Sequence, residues 1–174
     1  MSDEECESYE NSVGLIEYKE RDITTVTRGV IAHGVNCQRA MGSGVAKALY
    51  TKWPEIRESY MEYAAGPQHL GQVDFVDVTH SLPPEESIIV ANCWTQEHYG
   101  NDGKVYADIE AVRKCLENVY HFADTYELPV ILPKIGCGLA GLDWEKDVEP
   151  IVEALDEELP RVPTTVCIWP PESE

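Results

Sequence analysis

His33 and Asn36 stand three residues apart at the end of an apolar run, in the stretch HGVNCQRAMGSG, residues 33 to 44. A histidine can move a proton near neutral pH, and an asparagine can donate and accept at once. Behind them Gly42, Ser43 and Gly44 open a helical pattern. A second stretch, PKIGCGLAGLDWE at residues 133 to 145, sets Gly136, Gly138 and Gly141 between an apolar run and another helical pattern. Glycine lets a backbone approach a ligand closely. A helix start supplies N–H donors and partial positive charge. Either loop alone reads as a tight turn. Two of them at strand-to-helix junctions point to one shared site for an anion such as a pyrophosphate.

The second loop matches GxGxxG, the dinucleotide fingerprint. Only one further strand fits after it, too little for the nucleotide-binding half that this fingerprint usually opens, so an ordinary Rossmann dehydrogenase is rejected. His33 and Cys37, four apart, raise the alternative of a thiol nucleophile with its base, but no third orienting group is identifiable.

The elements that must position these loops are legible from periodicity. Strand-like runs occur at GLIEYKE, GVIAHGVN, QVDFVDV, SIIVANCW, LPVILPKI and TTVCIW. Several are continuously apolar, as in a sheet covered on both faces. Helical patterns fall at residues 44–53, 54–66, about 105–126 and 143–159. In the third, Ile109, Val112, Leu116, Val119 and Ala123 recur every three or four residues; in the fourth, Val148, Ile151, Val152, Leu155 and Leu159 do so. Pro150 restricts that fourth helix to a start near it or to a kink. Strands alternating with helices predict an α/β layered domain with a mixed, largely parallel sheet, and ligands of such sheets sit beyond the carboxyl ends of the strands.

Composition bounds the rest. The chain of 174 residues suggests one domain, expected over residues 13–170. An acidic mobile segment is expected at 1–12 and a short tail at 171–174. Thirteen Lys+Arg against 32 Asp+Glu give a net charge of -19, which disfavours nucleic acid and anionic membrane as partners. The six cysteines form no CxxC pair, so free thiols are expected rather than a zinc site. With no apolar run of membrane length and no signal-like start, a cytoplasmic protein is the expectation.

Three stretches in this order, IAHGVNCQRAMGSGVAKAL, TQEHYG and PKIGCGLAGLDWE, resemble the macrodomain, the three-layer α/β/α module that binds ADP-ribose. The resemblance covers about residues 15 to 169. It is nearest to the small single-domain branch that includes ADP-ribose 1''-phosphate phosphatases and phage or bacterial relatives. It implies that Asp22 accepts from the adenine amino group and that Ile23 offers a backbone N–H to the ring. Asn36 would touch the distal ribose. Gly42, Ser43, Gly44 and Val45 would form the first phosphate loop, and Gly136, Cys137, Gly138, Leu139 and Ala140 the second. His33 matches a histidine implicated in catalysis, and Asp143 is a candidate general acid or base. Each has a plainer reading. Asp22 and Asp143 suit caps, Asn36 suits its own turn, and His33 suits a neutral histidine satisfied near a strand end.

The resemblance implies no cofactor and no metal, and a zinc-dependent branch does not fit because its Cys/His cluster is not evident. A branch that attacks with a lysine carries an acid where this chain has Ala140, and there is no lysine near NCWTQ. Hydrolysis of ADP-ribose 1''-phosphate to ADP-ribose and phosphate is therefore the leading expectation. Binding without turnover and deacylation of acyl-ADP-ribose or ADP-ribosyl-protein esters stand as alternatives. Oligomeric state is open.

Overall fold

Continuous apolar runs and short alternating ones pair into a single six-stranded sheet. The computed structural model describes residues 16–170; the expected acidic segment 1–12 and tail 171–174 lie outside them. The elements follow in the order β1 (Ile16–Glu20), β2 (Arg28–Asn36), α1 (Gly44–Lys52), α2 (Glu55–Met61), β3 (Val73–Asp77), β4 (Ser87–Gln96), α3 (Ile109–Tyr126), β5 (Val130–Leu132), α4 (Glu149–Glu158) and β6 (Thr164–Ile168). The strand order is β1-β6-β5-β2-β4-β3. Every pairing is parallel except β3 with β4.

Alternation along the central strands sends side chains to two cores. Val30 and Ala32 of β2, Ala91 and Cys93 of β4 and Val130 and Leu132 of β5 pack under α3 and α4. Ile31, Val90 and Ile131 face the other way, against Leu49 of α1, Trp53 just after it and Ile56 of α2. Helices on both faces make a three-layer α/β/α domain, and the central strands are apolar on both faces because both are covered.

Element ends differ from the periodicity where backbone bonding intervenes. The second helix stops at Met61 rather than near Gly66, because the chain turns so that the Gly66 N–H can donate to the Cys37 carbonyl (2.9 Å). The third begins at Ile109 behind Asp108, whose side chain accepts from the Ala111 N–H (3.0 Å). Ile109, in that first turn, is 38% exposed while Val112, Leu116, Val119 and Ala123 are buried. The fourth starts as a π-turn, Trp144–Val148, and becomes α-helical only at Glu149. Pro150 has no N–H to bond back with, so a regular α-helix cannot pass through it from Trp144.

Candidate active site

A cavity of about 880 Å³ opens beyond the carboxyl ends of β2, β4 and β5, within the range of roughly 300–1,000 Å³ usual for small-molecule sites. Its walls come from the segments after those strands, around residues 36–46, 95–101 and 133–140. Arg39, Arg57 and Lys134 line it. Among the described residues, none that lines it is an aspartate or glutamate, in a chain that carries 32 of them. An acidic molecule has kept its carboxylates out of one concavity and placed cations there, so an anionic occupant is favoured.

The first loop is built around Asn36. Its Oδ1 accepts from Gln38 N (2.9 Å), Ala40 N (3.3 Å) and the Tyr60 hydroxyl (3.0 Å), and its Nδ2 donates to Ala40 O (2.7 Å). The amide thus holds its own turn and keeps one Nδ2 hydrogen for a ligand. Beyond it Gly42, Ser43, Gly44 and Val45 all line the cavity. Ser43, the N-cap of α1, makes no side-chain capping bond. The α1 N-terminus, with its N–H donors and positive dipole end, therefore borders the cavity without a carboxylate on it.

The second loop differs. Gly136, Gly138 and Gly141 have φ of 79°, 67° and 93°, a region that side chains disfavour, which is the physical reason for the repeated glycine. Gly136, Cys137, Leu139 and Ala140 line the cavity, while Gly138 lies outside the lining. The Ala140 carbonyl accepts from Tyr106 N (2.9 Å) and Ala107 N (3.0 Å), tying this loop to the segment after β4. The helix start behind it is not open. Asp143 Oδ1 accepts from Lys146 N (2.8 Å), and Asp147 Oδ2 accepts from Asp143 N (2.8 Å). Asp143 thus serves as an N-cap and is absent from the lining. Replacing Asp143 by Ala should cost about 1 kcal/mol of stability, read by chemical denaturation.

Asp22 and Ile23 also lie outside the lining. Asp22 caps the short 3-10 turn Ile23–Thr25, accepting from Thr24 N (3.0 Å) and Thr24 Oγ1 (2.8 Å). Ile23 is buried in the core under α1 and α2.

His33 is in the cavity wall and 1% exposed. Its Nε2 is 2.6 Å from Asn92 Oδ1. Burial pushes the imidazole down to about 4, and the bond to Asn92 opposes that only in part. At neutral pH it is an uncharged ring, able to accept a proton or a hydrogen bond and not poised to donate charge. Cys37 is no partner for it. Burial pushes that thiol up to about 11, the opposite of what a nucleophilic cysteine needs.

Gly34 sits beside His33 against Thr95. A Cβ on Gly34 would fall 2.5 Å from Thr95 Oγ1. Gly34→Ala should therefore destabilise by about 1–3 kcal/mol through overpacking. In denaturant melts the Gly34→Ala/Thr95→Ala pair should recover most of that loss.

Arg39, Thr95 and Lys134 fall inside the quoted stretches and Arg57 outside them, and none of the four is among the candidate residues read from the sequence. The available signal was scarcity: with 13 basic residues in the chain, an arginine inside the first glycine-rich stretch was conspicuous. Among the described residues no cluster of three metal-ligating side chains occurs, and no helix is long and apolar enough to cross a membrane.

Comparison with known proteins matches the Macro domain family model to residues 32–151. An ADP-ribose 1''-phosphate phosphatase from Debaryomyces hansenii is 28% identical over 159 residues, covering 75% of this chain and 89% of that protein. A DNA ADP-ribosyl glycohydrolase from Mycobacterium tuberculosis is 30% identical over 163 residues, covering 90% of this chain; the chain spans only 42% of that relative's length. Among solved structures, a protein of unknown function from Bacteroides thetaiotaomicron superposes with a TM-score of 0.75 at 32% identity, covering 88% of this chain and 97% of that one.

Proposed function

The chain belongs to the Macro domain family, and on that premise we propose that its cavity binds ADP-ribose or a derivative. We further propose that the protein is a hydrolase acting at the distal ribose, with ADP-ribose 1''-phosphate as the first substrate to test. The observation that carries the reading is the cavity lined by three cations and no carboxylate in a chain of net charge -19. A pyrophosphate-bearing ligand is what such a cavity would select. Phosphatase chemistry is supported by the Debaryomyces hansenii relative, of which the chain covers most of the length.

In this reading the pyrophosphate lies between the open α1 N-terminus and the second loop. The adenine lies toward Asp22 and Ile23, and the distal ribose meets the remaining hydrogen of Asn36 Nδ2. Water attacks phosphorus, the bond from phosphorus to the O1'' oxygen breaks, and ADP-ribose and phosphate leave. Backbone N–H groups steady the charge that develops. His33, neutral and in the cavity wall, is the first candidate to act on the attacking water; Asp143 is the second. In this reading the substrate is a small molecule, and the acidic surface disfavours nucleic acid and anionic membrane as partners. The mycobacterial relative's activity keeps glycosidic cleavage of an ADP-ribosyl adduct as a second reading.

The test is phosphate release from ADP-ribose 1''-phosphate by wild type, His33→Ala and Asp143→Ala, with calorimetric ADP-ribose binding on the same samples. Release from wild type that falls in either variant while binding persists supports the phosphatase and assigns that residue to the chemistry. Binding without release moves the function to a reader, an ester hydrolase or a glycohydrolase. Absence of binding overturns the ligand.

A further inference from the structure

A buried polar chain runs behind the cavity wall, and neither glycine loop accounts for it. His33 on β2 and Asn92 on β4 are register partners. Asn92, with no exposed surface, donates from Nδ2 to the Ile56 carbonyl of α2 (3.1 Å) and to Asp74 Oδ2 on β3 (3.3 Å). Asp74 is held in turn by the Ser59 hydroxyl (2.7 Å) and the Tyr63 hydroxyl (3.4 Å). Both amide hydrogens of Asn92 are thereby used, which fixes the orientation of the amide and leaves Oδ1 against His33 Nε2 at 2.6 Å.

An amide oxygen only accepts, so Nε2 must carry the ring proton. A neutral imidazole has one such proton, so Nδ1 is the lone-pair nitrogen. Nδ1 is buried and has no hydrogen-bond partner, on a residue that lines the cavity. A position needing only packing would carry an aliphatic side chain and avoid burying an unpaired polar atom.

We propose that Asn92, clamped by Asp74, is a positioning residue that locks His33 in the Nε2–H tautomer, so that Nδ1 gives the cavity a standing acceptor for an O–H donor. The donor is a ligand hydroxyl or a bound water. The pyrophosphate oxygens of ADP-ribose, ionised and acceptors only, find no bond there, so the ring selects the sugar or water side of that ligand over its pyrophosphate. The proposal deepens the assignment of this cavity to ADP-ribose and rests on it.

The test uses the full chain labelled with 15N-histidine and long-range proton–nitrogen correlation, with the His33 signals assigned through His33→Gln. The free protein should show a pyrrole-type shift at Nε2 and a pyridine-type shift at Nδ1. Asn92→Leu should bring the two shifts toward an average. Saturation with ADP-ribose should move Nδ1 if a ligand hydroxyl is the donor. A Nδ1 already shifted as hydrogen-bonded in the free protein identifies water. Sulfate, an anion with no O–H, should move neither.

A proton on Nδ1 in wild type overturns the lock without need of any variant. So does an unchanged pattern in a folded Asn92→Leu protein. A Nδ1 that is bare in the free protein and unmoved at calorimetric saturation with ADP-ribose overturns the acceptor role. Absence of calorimetric binding instead overturns the assignment of the cavity, and the lock is then judged on the free spectrum alone.

Discussion

Asn36→Ala is expected to lose about 3 kcal/mol of folding stability and to weaken ADP-ribose binding about tenfold or more. One amide organises the whole turn from β2 to α1. Truncation strips an acceptor from Gln38 N, Ala40 N and the Tyr60 hydroxyl, and a donor from Ala40 O. The Tyr60 hydroxyl keeps its bond to the Asn36 carbonyl (2.7 Å), so the loss falls on the loop rather than on α2. The loop is already held in an uncommon shape, with Arg39 at a φ of 59°. Such a conformation persists only while its surroundings enforce it. Without the amide the turn should relax, carrying Arg39 and the path to Gly42 away from the cavity. Denaturant melts read the stability and calorimetry the binding. A variant within about 0.5 kcal/mol of wild type that binds normally would show the amide to be ornamental.

The second large effect is on acid stability. The His33 ring titrates near its ordinary value of 6.5 in the unfolded chain and near 4 in the folded one, because burial disfavours the charged form. Between those values the unfolded chain binds a proton that the folded one refuses, so stability falls as pH falls through that window. Above 6.5 the ring is neutral in both states and contributes nothing. Lowering the pH to about 4.5 should cost about 2–3 kcal/mol through this one group. Carboxylates titrate in the same range, so the quantity to measure is the difference between wild type and His33→Gln. The variant should lose less stability than wild type between pH 6.5 and about 4.5. Parallel stability curves would mean that His33 is as easily protonated folded as unfolded.

The layered α/β fold and both glycine loops were readable because each leaves a local mark. Continuous runs such as SIIVANCW announce a strand buried on two faces, and the glycines at 136, 138 and 141 occupy positive φ. What escaped is what depends on distance in the chain. Asn92 lies within a strand and looks like a minor interruption of an apolar run. Its partners Ile56 and Asp74 are 36 and 18 residues away, so it takes the register of β2, β3 and β4 and the packing of α2 on them to bring the chain of bonds together. Arg57 reads as a surface residue of a short helix until α2 is folded against the first loop. Asp143 was ambiguous for a different reason. Its cap is local and a catalytic role would not be, and the structure adds the cap bonds without adding a place in the cavity wall.

Strands β5, β2 and β4 are consecutive neighbours in the sheet, and all three cavity walls grow from their ends. A ligand seated there would bridge the central strands, the part of the molecule expected to open last. Its binding energy would then appear in global unfolding and not in local breathing. In native-state hydrogen exchange, a ligand should slow the most protected amides of the central strands by the full mass-action factor.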